Sequence, residues 1–279
     1  MPPLPTPHES SNMALFPRFM IASLLAAFST VAIAQDSTEP PPPKASPVIS
    51  VMEESLPRAG GILVFGGTRG VGLEVVKHMV ERKENVTVMA RASSDTAALK
   101  ALNVNVVTGD ALDPESIKQV FTAAPFRAVI STLGGREGDY KVDFEGNKNV
   151  IDATKSAGLD RFILVTALGA GDSNAALPWY ARLAERWFMK GYFAAKTAAE
   201  DYLKASGLEY TIVRPGMLVE DEKAGEPMLF VAAHTVITGI TRADVGKLVA
   251  AAVEDKTTFK QVFAAVDNKR TGLWALLTY

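Results

Sequence analysis

The chain contains no cysteine, and several other chemically informative features are scarce. Without thiols it has no disulfide, no thiolate metal site and no cysteine nucleophile. Its three histidines (His8, His78 and His234) are far apart in the sequence, so we predict no histidine metal site. The formal net charge is −2, which supplies neither the basic field that attracts nucleic acid nor a strongly acidic tail.

The N-terminal residues differ in composition from the rest of the chain. Arg18 is followed by the uncharged run FMIASLLAAFSTVAIA, whose last three residues form a small-x-small cleavage pattern. This run is shorter than the roughly 20 residues of a membrane span. We therefore predict a secretory signal peptide over residues 1–34, with an uncleaved membrane anchor as the alternative. Residues 35–59 are rich in proline and predict a disordered linker before a folded domain over residues 60–279.

After Gly60, short apolar runs alternate with segments of helical periodicity. The runs predict strands at 61–65, 86–90, 104–107, 128–131, 161–166 and 210–213. The intervening segments predict helices at about 71–82, 96–102, 114–123, 144–157 and 192–206. Asp113 before Pro114 predicts a helix start, and Gly158 and Gly207 predict helix ends. Strands that are apolar on both faces, alternating with helices, predict an α/β fold with a doubly wound parallel sheet of the Rossmann type.

The first predicted strand runs into a glycine-rich turn, VFGGTRGVG. A Walker A loop would need Lys and then Ser or Thr after its second glycine, and G-x-G-x-x-G fits no register here. The spacing G-x-x-x-G-x-G does fit, at Gly66, Gly70 and Gly72, and it resembles the phosphate loop of the short-chain dehydrogenase/reductase superfamily. The resemblance implies that the turn holds a dinucleotide pyrophosphate at a helix N-terminus, the alternative being a tight turn without a ligand. The predicted loop also contains Thr68, Arg69 and Val71.

The end of the second predicted strand bears on the choice of cofactor. NAD binding usually places an Asp or Glu there, about 20 residues after the glycines, but no carboxylate precedes Asp95. Arg91 stands where a 2′-phosphate would lie, and Arg69 supplies a second guanidinium, so we predict NADP rather than NAD. The resemblance implies further cofactor contacts after the third and fourth strands, at Asp110, Ala111, Ser131, Thr132 and Leu133.

Tyr192 and Lys196 are four residues apart on one predicted helix, so both project from the same face. A nearby ammonium lowers the pKa of a phenol and brings proton transfer within range of neutral pH. With Thr166 at the end of the fifth strand, the pair resembles the catalytic set of the superfamily. That resemblance implies that Tyr192 transfers a proton, Lys196 holds the nicotinamide ribose and Thr166 hydrogen-bonds the reacting carbonyl. The alternatives are a core tyrosine and a solvated lysine.

Two longer segments make the resemblance more specific. GNKNVIDATKSAGLDRFILVTALGAG (146–171) and SGLEYTIVRPGML (206–218) resemble the atypical, NmrA-like, NAD(P)H-binding branch of the superfamily. In that branch Pro215 and Gly216 are expected to turn the chain beneath the nicotinamide. The short chain after Gly216 implies a small C-terminal subdomain on the substrate side and a small-molecule substrate, with residues 219–239 lining or covering the cleft.

Together these features predict an NADP-dependent oxidoreductase that reduces a small carbonyl-like substrate. The alternatives are a non-catalytic NADP(H)-binding regulator or assembly factor, and an NADP-dependent isomerase or epimerase. The predicted export signal would send the domain to the periplasm or another secretory compartment, where free NADPH is not expected. The N-terminal segment is then alternatively a membrane anchor or a plastid-targeting element. We predict no nucleic-acid partner, and contact with a membrane only if that segment is retained.

Overall fold

The computed structural model describes residues 60–135, 138–176, 189–220, 225–230 and 239–270. The predicted signal peptide, the proline-rich linker and His234 lie outside these ranges. The described strands are β1 (Gly61–Phe65), β2 (Val86–Ala90), β3 (Asn105–Thr108), β4 (Phe126–Ser131), β5 (Arg161–Val165), β6 (Glu209–Pro215), β7 (Met217–Val219), β8 (Pro227–Phe230), β9 (Gly239–Thr241) and β10 (Gln261–Asp267). The described α-helices are α1 (Gly70–Glu81), α2 (Ala97–Ala101), α3 (Pro114–Phe121), α4 (Asn147–Ser156), α5 (Ser173–Ala176), α6 (Lys190–Ala205) and α7 (Arg242–Ala252).

Eight of these strands form the central sheet, in the order β3-β2-β1-β4-β5-β6-β10-β8. Neighbouring strands from β3 to β10 are parallel, and β8 pairs with β10 in the antiparallel direction. The winding direction reverses between β1 and β4, and open α/β sheets bind ligands at the carboxyl ends of the strands beside such a reversal. The topology confirms the predicted doubly wound sheet.

The strands alternate their side chains between two buried faces of the sheet. In β1, Ile62 and Val64 belong to one apolar cluster, whereas Leu63 and Phe65 belong to the other. Helices α1, α2 and α7 cover the first face, and helices α3, α4 and α6 cover the second. Every residue of β1 is therefore buried, which explains why this strand is a continuous apolar run in the sequence. Each large apolar side chain buried in this way contributes about 1.5–3 kcal/mol.

Three predicted helix boundaries are confirmed together with their physical causes. The side chain of Asp113 accepts a hydrogen bond of 3.1 Å from the amide of Glu115 and so caps α3. Pro114 occupies the first position of this helix, where no amide donor is needed. Gly158 and Gly207 follow α4 and α6 with φ of +70° and +87°, a backbone region that favours glycine.

The predicted start of the helix over residues 144–157 was wrong. The chain first makes a π-helical turn over Val142–Gly146, and α4 begins only at Asn147. The side-chain amide of Asn147 donates to the carbonyl oxygen of Asp143 at 2.8 Å and so satisfies a backbone acceptor within this widened turn. Such turns are rare and occur frequently at functional sites.

Several elements after Gly216 were not predicted at all. Strands β10 and β8 extend the main sheet beyond β6, and α7 packs against α1 on one of its faces. Strands β7 and β9 form a separate two-stranded sheet. Among the described residues, no helix is both long and apolar enough to cross a membrane.

Candidate functional site

The glycine-rich turn between β1 and α1 is shaped by backbone contacts that exclude side chains. Gly66 and Gly70 have φ of +84° and +57°. A β-carbon on Gly72 would lie 2.2 Å from the carbonyl oxygen of Gly66 and 2.4 Å from Oγ1 of Thr132. Because one of those atoms belongs to the backbone, no rotamer change relieves the clash. The three glycines are therefore required by the shape of the turn, as their spacing predicted.

The N-terminus of α1 presents amide groups without a side-chain cap. Arg69 precedes the first helical residue in an extended conformation, its side chain makes no capping hydrogen bond, and the first turn contains no acidic residue. The first amides of a helix lack partners within the helix and favour an anion. A glycine cradle at such a helix start fits the diphosphate of a dinucleotide. Thr68 and Val71, which flank Arg69 and Gly70, are partly buried.

Two arginines predicted to bind the cofactor are Arg69, in the glycine-rich turn, and Arg91, directly after β2. Arg69 and Arg91 are both exposed, and within the described ranges neither forms an ion pair. The first carboxylate after β2, Asp95, accepts a hydrogen bond of 2.9 Å from the amide of Ala97 at the start of α2. That carboxylate is thereby held at a helix start, and Arg91 is the charged residue that directly follows β2.

The predicted contacts after β3 are held by local hydrogen bonds. The carboxylate of Asp110 accepts from the amide of Leu112 at 2.9 Å, and the amide of Asp110 donates to Oγ of Ser116 at 3.0 Å. Ala111 is buried, and its carbonyl accepts from the side chain of Asn149 at 3.1 Å. The loop after β3 is thus fastened to α3 and α4.

The predicted contacts after β4 connect the glycine turn to helices α4 and α6. Thr132 donates its amide to the carbonyl of Phe65 at 2.9 Å, which places the end of β4 beside the glycines. The buried hydroxyl of Ser131 donates to Oδ1 of Asn147 at 2.5 Å. The carbonyl of Leu133 accepts from Nζ of Lys196 at 2.7 Å. These contacts bring α6 to the edge of the sheet at which the glycine turn lies.

Lys196 is buried and faces a carboxylate that the sequence analysis missed. Its Nζ lies 2.9 Å from Oδ1 of Asp143, and the two side chains are 4% and 0% exposed. The other carboxylate oxygen, Oδ2, accepts from the amide of Gly135 at 2.7 Å. The alternative of a solvated lysine is therefore wrong. Asp143 is four residues before Asn147 and seven before the buried Val150, so the three residues lie on one helix face. A carboxylate on a face that is otherwise buried was the signal in the sequence that could have identified Asp143.

Tyr192 lies one helical turn before Lys196, among aromatic rings. Its ring centroid is 5.7 Å from that of Tyr140 and 5.1 Å from that of Phe193, and Nζ of Lys196 lies 5.7 Å from its centroid. Burial, with added repulsion from Asp143 and Tyr140, raises the pKa of Tyr192 to about 12. The predicted lowering of this pKa by Lys196 is therefore wrong, because burial disfavours the charged tyrosinate and the carboxylate of Asp143 adds repulsion.

Thr166 belongs to a different buried cluster. Its hydroxyl donates to Oε1 of Glu200 at 2.7 Å, and Glu200 in turn accepts two hydrogen bonds from Arg214, at 2.9 and 2.6 Å. Arg214 also reaches Asp172, in the loop after β5, at 2.5 Å. The structure therefore brings Tyr192 and Lys196 together, whereas the hydroxyl hydrogen of Thr166 points to Glu200.

The turn after β6 is hydrogen-bonded to the loop after β5 and to β10. The carbonyl of Pro215 accepts from the amide of Leu168 at 2.8 Å, and the amide of Gly216 donates to the carbonyl of Ala265 at 3.1 Å. Both residues thereby hold the end of β6 to the loop after β5 and to β10.

Arg242, at the start of α7, is a second residue that the sequence analysis missed. Its Nε lies 4.0 Å from where a β-carbon on Gly70 would stand, and its guanidinium pairs with Glu220. No local pattern signals this proximity, because it arises from the packing of α7 on α1.

A parallel sheet with a glycine cradle at its reversal point and an uncapped helix start defines a nucleotide-binding protein of the Rossmann type. The chain belongs to the NAD(P)H-binding family, whose profile matches residues 66–256. This membership and the relatives below confirm the resemblance to the NAD(P)H-binding branch of the short-chain dehydrogenase/reductases.

The relatives carry several different functional names. A Bacillus subtilis protein, named as the uncharacterised sugar epimerase YhfK, is 31% identical over 72% of this chain and 92% of its own length. The photosystem II assembly factor Ycf39 of Cyanophora paradoxa is 30% identical over 55% of this chain and 44% of its own length. The solved structure of ChuY from Escherichia coli O157:H7, described as an anaerobillin reductase, is 29% identical, with a TM-score of 0.63 over 76% of this chain and 98% of that one. Other relatives are chloroplastic proteins.

Proposed function

We propose that the chain is an NADP-dependent oxidoreductase that reduces a small carbonyl compound. The observation that carries the proposal is the cluster of Tyr192, Lys196 and Asp143 at the same sheet edge as the glycine turn. A bound NADPH would supply hydride. The chain would supply the proton, the binding groups and a site shielded from water.

The residues have separate roles in this proposal. Gly66, Gly70 and Gly72 shape the cradle, and the amides at the start of α1 bind the diphosphate. Lys196 has three donors, of which one is used by Leu133 and one faces Asp143, so a third remains for the ribose hydroxyls. The remaining proposed cofactor contacts are Thr68, Val71, Asp110, Ala111, Ser131, Thr132, Leu133, Pro215 and Gly216.

Tyr192 is a phenol at neutral pH, because burial raises its pKa to about 12. In the proposed reduction this phenol donates its proton to the substrate oxygen. The proposed role of Thr166 would require its hydroxyl to turn from Glu200 towards the substrate.

The role of Tyr192 is tested by Tyr192→Phe, with turnover and NADPH binding measured separately. NADPH oxidation would be followed across a panel of carbonyl and quinone compounds. We expect kcat to fall by about 100-fold or more, the usual contribution of a general acid, with NADPH affinity unchanged. Unchanged turnover would remove Tyr192 from the mechanism.

The preference for NADP rests on Arg69 and Arg91. Hydrogen bonds to charged groups contribute about 1.5–3 kcal/mol, so Arg91→Ala should weaken NADPH binding about 10- to 100-fold and leave NADH binding unchanged. Arg82→Ala, an exposed arginine just beyond the far end of α1, is the matched control. Equal losses for NADPH and NADH would contradict the assignment of Arg91 to the 2′-phosphate.

A second candidate is a non-catalytic NADP(H)-binding assembly factor. The similarity to a photosystem II assembly factor supports it. This candidate predicts cofactor binding without NADPH oxidation for any compound of the panel, in the wild-type protein and in Tyr192→Phe alike.

For the N-terminal residues, we propose a targeting segment over 1–34 and a linker over 35–59, ahead of the cofactor domain. An export signal is the first interpretation, and a plastid-targeting segment is supported by the chloroplastic relatives. Sequencing the N-terminus of the mature protein from fractionated cells tests both. A mature chain that begins at Gln35 would support export.

A further inference from the structure

Asp143 is a carboxylate that forms an ion pair with Lys196 of the proposed catalytic pair. It sits on the π-helical turn with its side chain fully buried, 2.9 Å from Nζ of Lys196. Its other oxygen accepts from the amide of Gly135 at 2.7 Å. A buried carboxylate is stabilised by an opposite charge and by hydrogen bonds. Here Oδ2 is hydrogen-bonded, whereas Oδ1 has the ion pair with Lys196 and no hydrogen-bond partner within the described ranges. The two charges therefore form a neutral unit inside the protein.

This unit fixes the ammonium group of Lys196 from two sides. Asp143 holds it through charge, and the carbonyl of Leu133 accepts from it at 2.7 Å. A lysine side chain has four rotatable bonds, and its ammonium would otherwise adopt many positions. Two partners on separate chain segments restrict it to one position beside the ring of Tyr192.

From these contacts we infer that Asp143 is a positioning residue: it neutralises Lys196 and holds it in place, so that Tyr192 remains a phenol until it protonates the reduced substrate. The inference rests on the proposed reductase function. In the step, the O–H bond of Tyr192 breaks and its proton joins the substrate oxygen, as the carbon receives hydride from the reduced nicotinamide. The resulting tyrosinate lies beside Lys196 and regains its proton from water.

Among the described residues, the charged and titratable groups placed around Tyr192 come from two elements and a loop. Asp143 lies on the π-helical turn, Lys196 on α6, and Tyr140 in the segment before the turn. Of these, Asp143 and Tyr140 disfavour the tyrosinate, and only Lys196 favours it. Neutralising Asp143 therefore leaves an uncompensated cation next to the phenol.

The test is an ultraviolet absorbance titration of tyrosinate in the full chain, which needs no substrate. The signal of Tyr192 is the difference between each protein and the same protein carrying Tyr192→Phe. In Asp143→Asn, we expect the Tyr192 ionisation to move down by about 1–3 pH units, the usual effect of a neighbouring charge. An unchanged ionisation would overturn the inference.

A matched control is Asp152→Asn on α4. The carboxylate of Asp152 accepts from the hydroxyl of Tyr202 at 2.6 Å, so this variant also neutralises an aspartate beside a tyrosine. It should leave the Tyr192 difference signal unchanged. If Asp143→Asn does not fold, Asp143→Ser provides a smaller neutral acceptor for the amide of Gly135, with the same expected shift.

NADPH binding to the wild-type protein is measured alongside the titration. Absence of binding would refute the proposed function, whereas the titration alone decides the effect of Asp143 on Tyr192. A shift in Asp143→Asn with intact NADPH binding supports both. Binding without a shift removes only the role of Asp143.

Discussion

Replacing Glu200 with alanine should destabilise the protein far more than any substitution of an exposed carboxylate. Glu200 is fully buried and accepts from Thr166 and twice from Arg214, whose side chain is 5% exposed. Glu200→Ala leaves the buried guanidinium of Arg214 with the exposed Asp172 as its remaining described counter-ion, and removing one partner of a buried ion pair costs about 3–5 kcal/mol. For a domain of this size each kcal/mol lowers Tm by about 2–4 °C, so the expected decrease is roughly 6–20 °C.

The control for this prediction is a second carboxylate that pairs with Arg214. Asp172 contacts the same guanidinium, and Arg214 holds the pKa of Asp172 below its usual range, but the Asp172 side chain is 85% exposed. Exposed pairs contribute about 0–1 kcal/mol, so Asp172→Ala should lower Tm by no more than about 4 °C. Urea unfolding followed by circular dichroism gives both free energies. Equal losses for Glu200→Ala and Asp172→Ala would refute the reasoning from burial.

Three further predictions concern the site. Gly72→Ala places a methyl group against the carbonyl of Gly66, and such overpacking costs about 1–3 kcal/mol. We therefore expect the variant to bind NADPH about 5- to 100-fold more weakly in a fluorescence titration. Thr166→Val removes a donor from Glu200 and should lower the free energy of unfolding by about 1–3 kcal/mol in a urea titration. Arg242 is a partly exposed cation near the turn that is expected to hold the diphosphate, a group that both cofactors share. Arg242→Gln should therefore weaken NADPH and NADH binding to the same extent, by no more than about tenfold.

Each of these predictions has a contrasting variant. Gly158→Ala adds a methyl group where nothing lies within 4 Å; its φ of +70° makes the substitution destabilising, but NADPH binding by the folded protein should be unchanged. Thr166→Ser keeps the hydroxyl and should retain the stability that Thr166→Val loses; equal stabilities would show that the bond to Glu200 is unimportant. A loss specific to NADPH in Arg242→Gln would place this guanidinium at the 2′-phosphate instead of the diphosphate.

The first half of the fold was predictable because its signals are local. The strands at Gly61–Phe65 and Val86–Ala90 have the predicted boundaries, since both are short, mostly apolar runs buried on two faces. Strand β10 and helix α7 were missed, although Gln261–Asp267 contains an apolar run. Its position depends on pairing with β6, a contact between distant segments that no short sequence pattern specifies.

In the candidate site, too, the features set by nearby residues were predictable, and the contacts between distant segments were not. The shape of the glycine turn follows from the spacing of Gly66, Gly70 and Gly72, which lie within seven residues. The pairing of Lys196 with Asp143 joins two helical segments that are adjacent only in the folded protein. The expected direction of the Tyr192 pKa was wrong because neither the burial of the phenol nor the neighbouring carboxylate of Asp143 is visible in the local sequence.

The two faces of the sheet are completed at different moments of protein synthesis. In the cluster under α3, α4 and α6, the buried side chains lie between Leu63 and Ile212, so this cluster can form once β6 has left the ribosome. The cluster on the opposite face also needs Val245, Leu248 and Val249 of α7. Until α7 emerges, α1 and α2 cover only part of that face, and the apolar side chains that α7 contacts stay exposed. Synthesis of α7 is therefore the step that completes the cover of this face in the nascent domain.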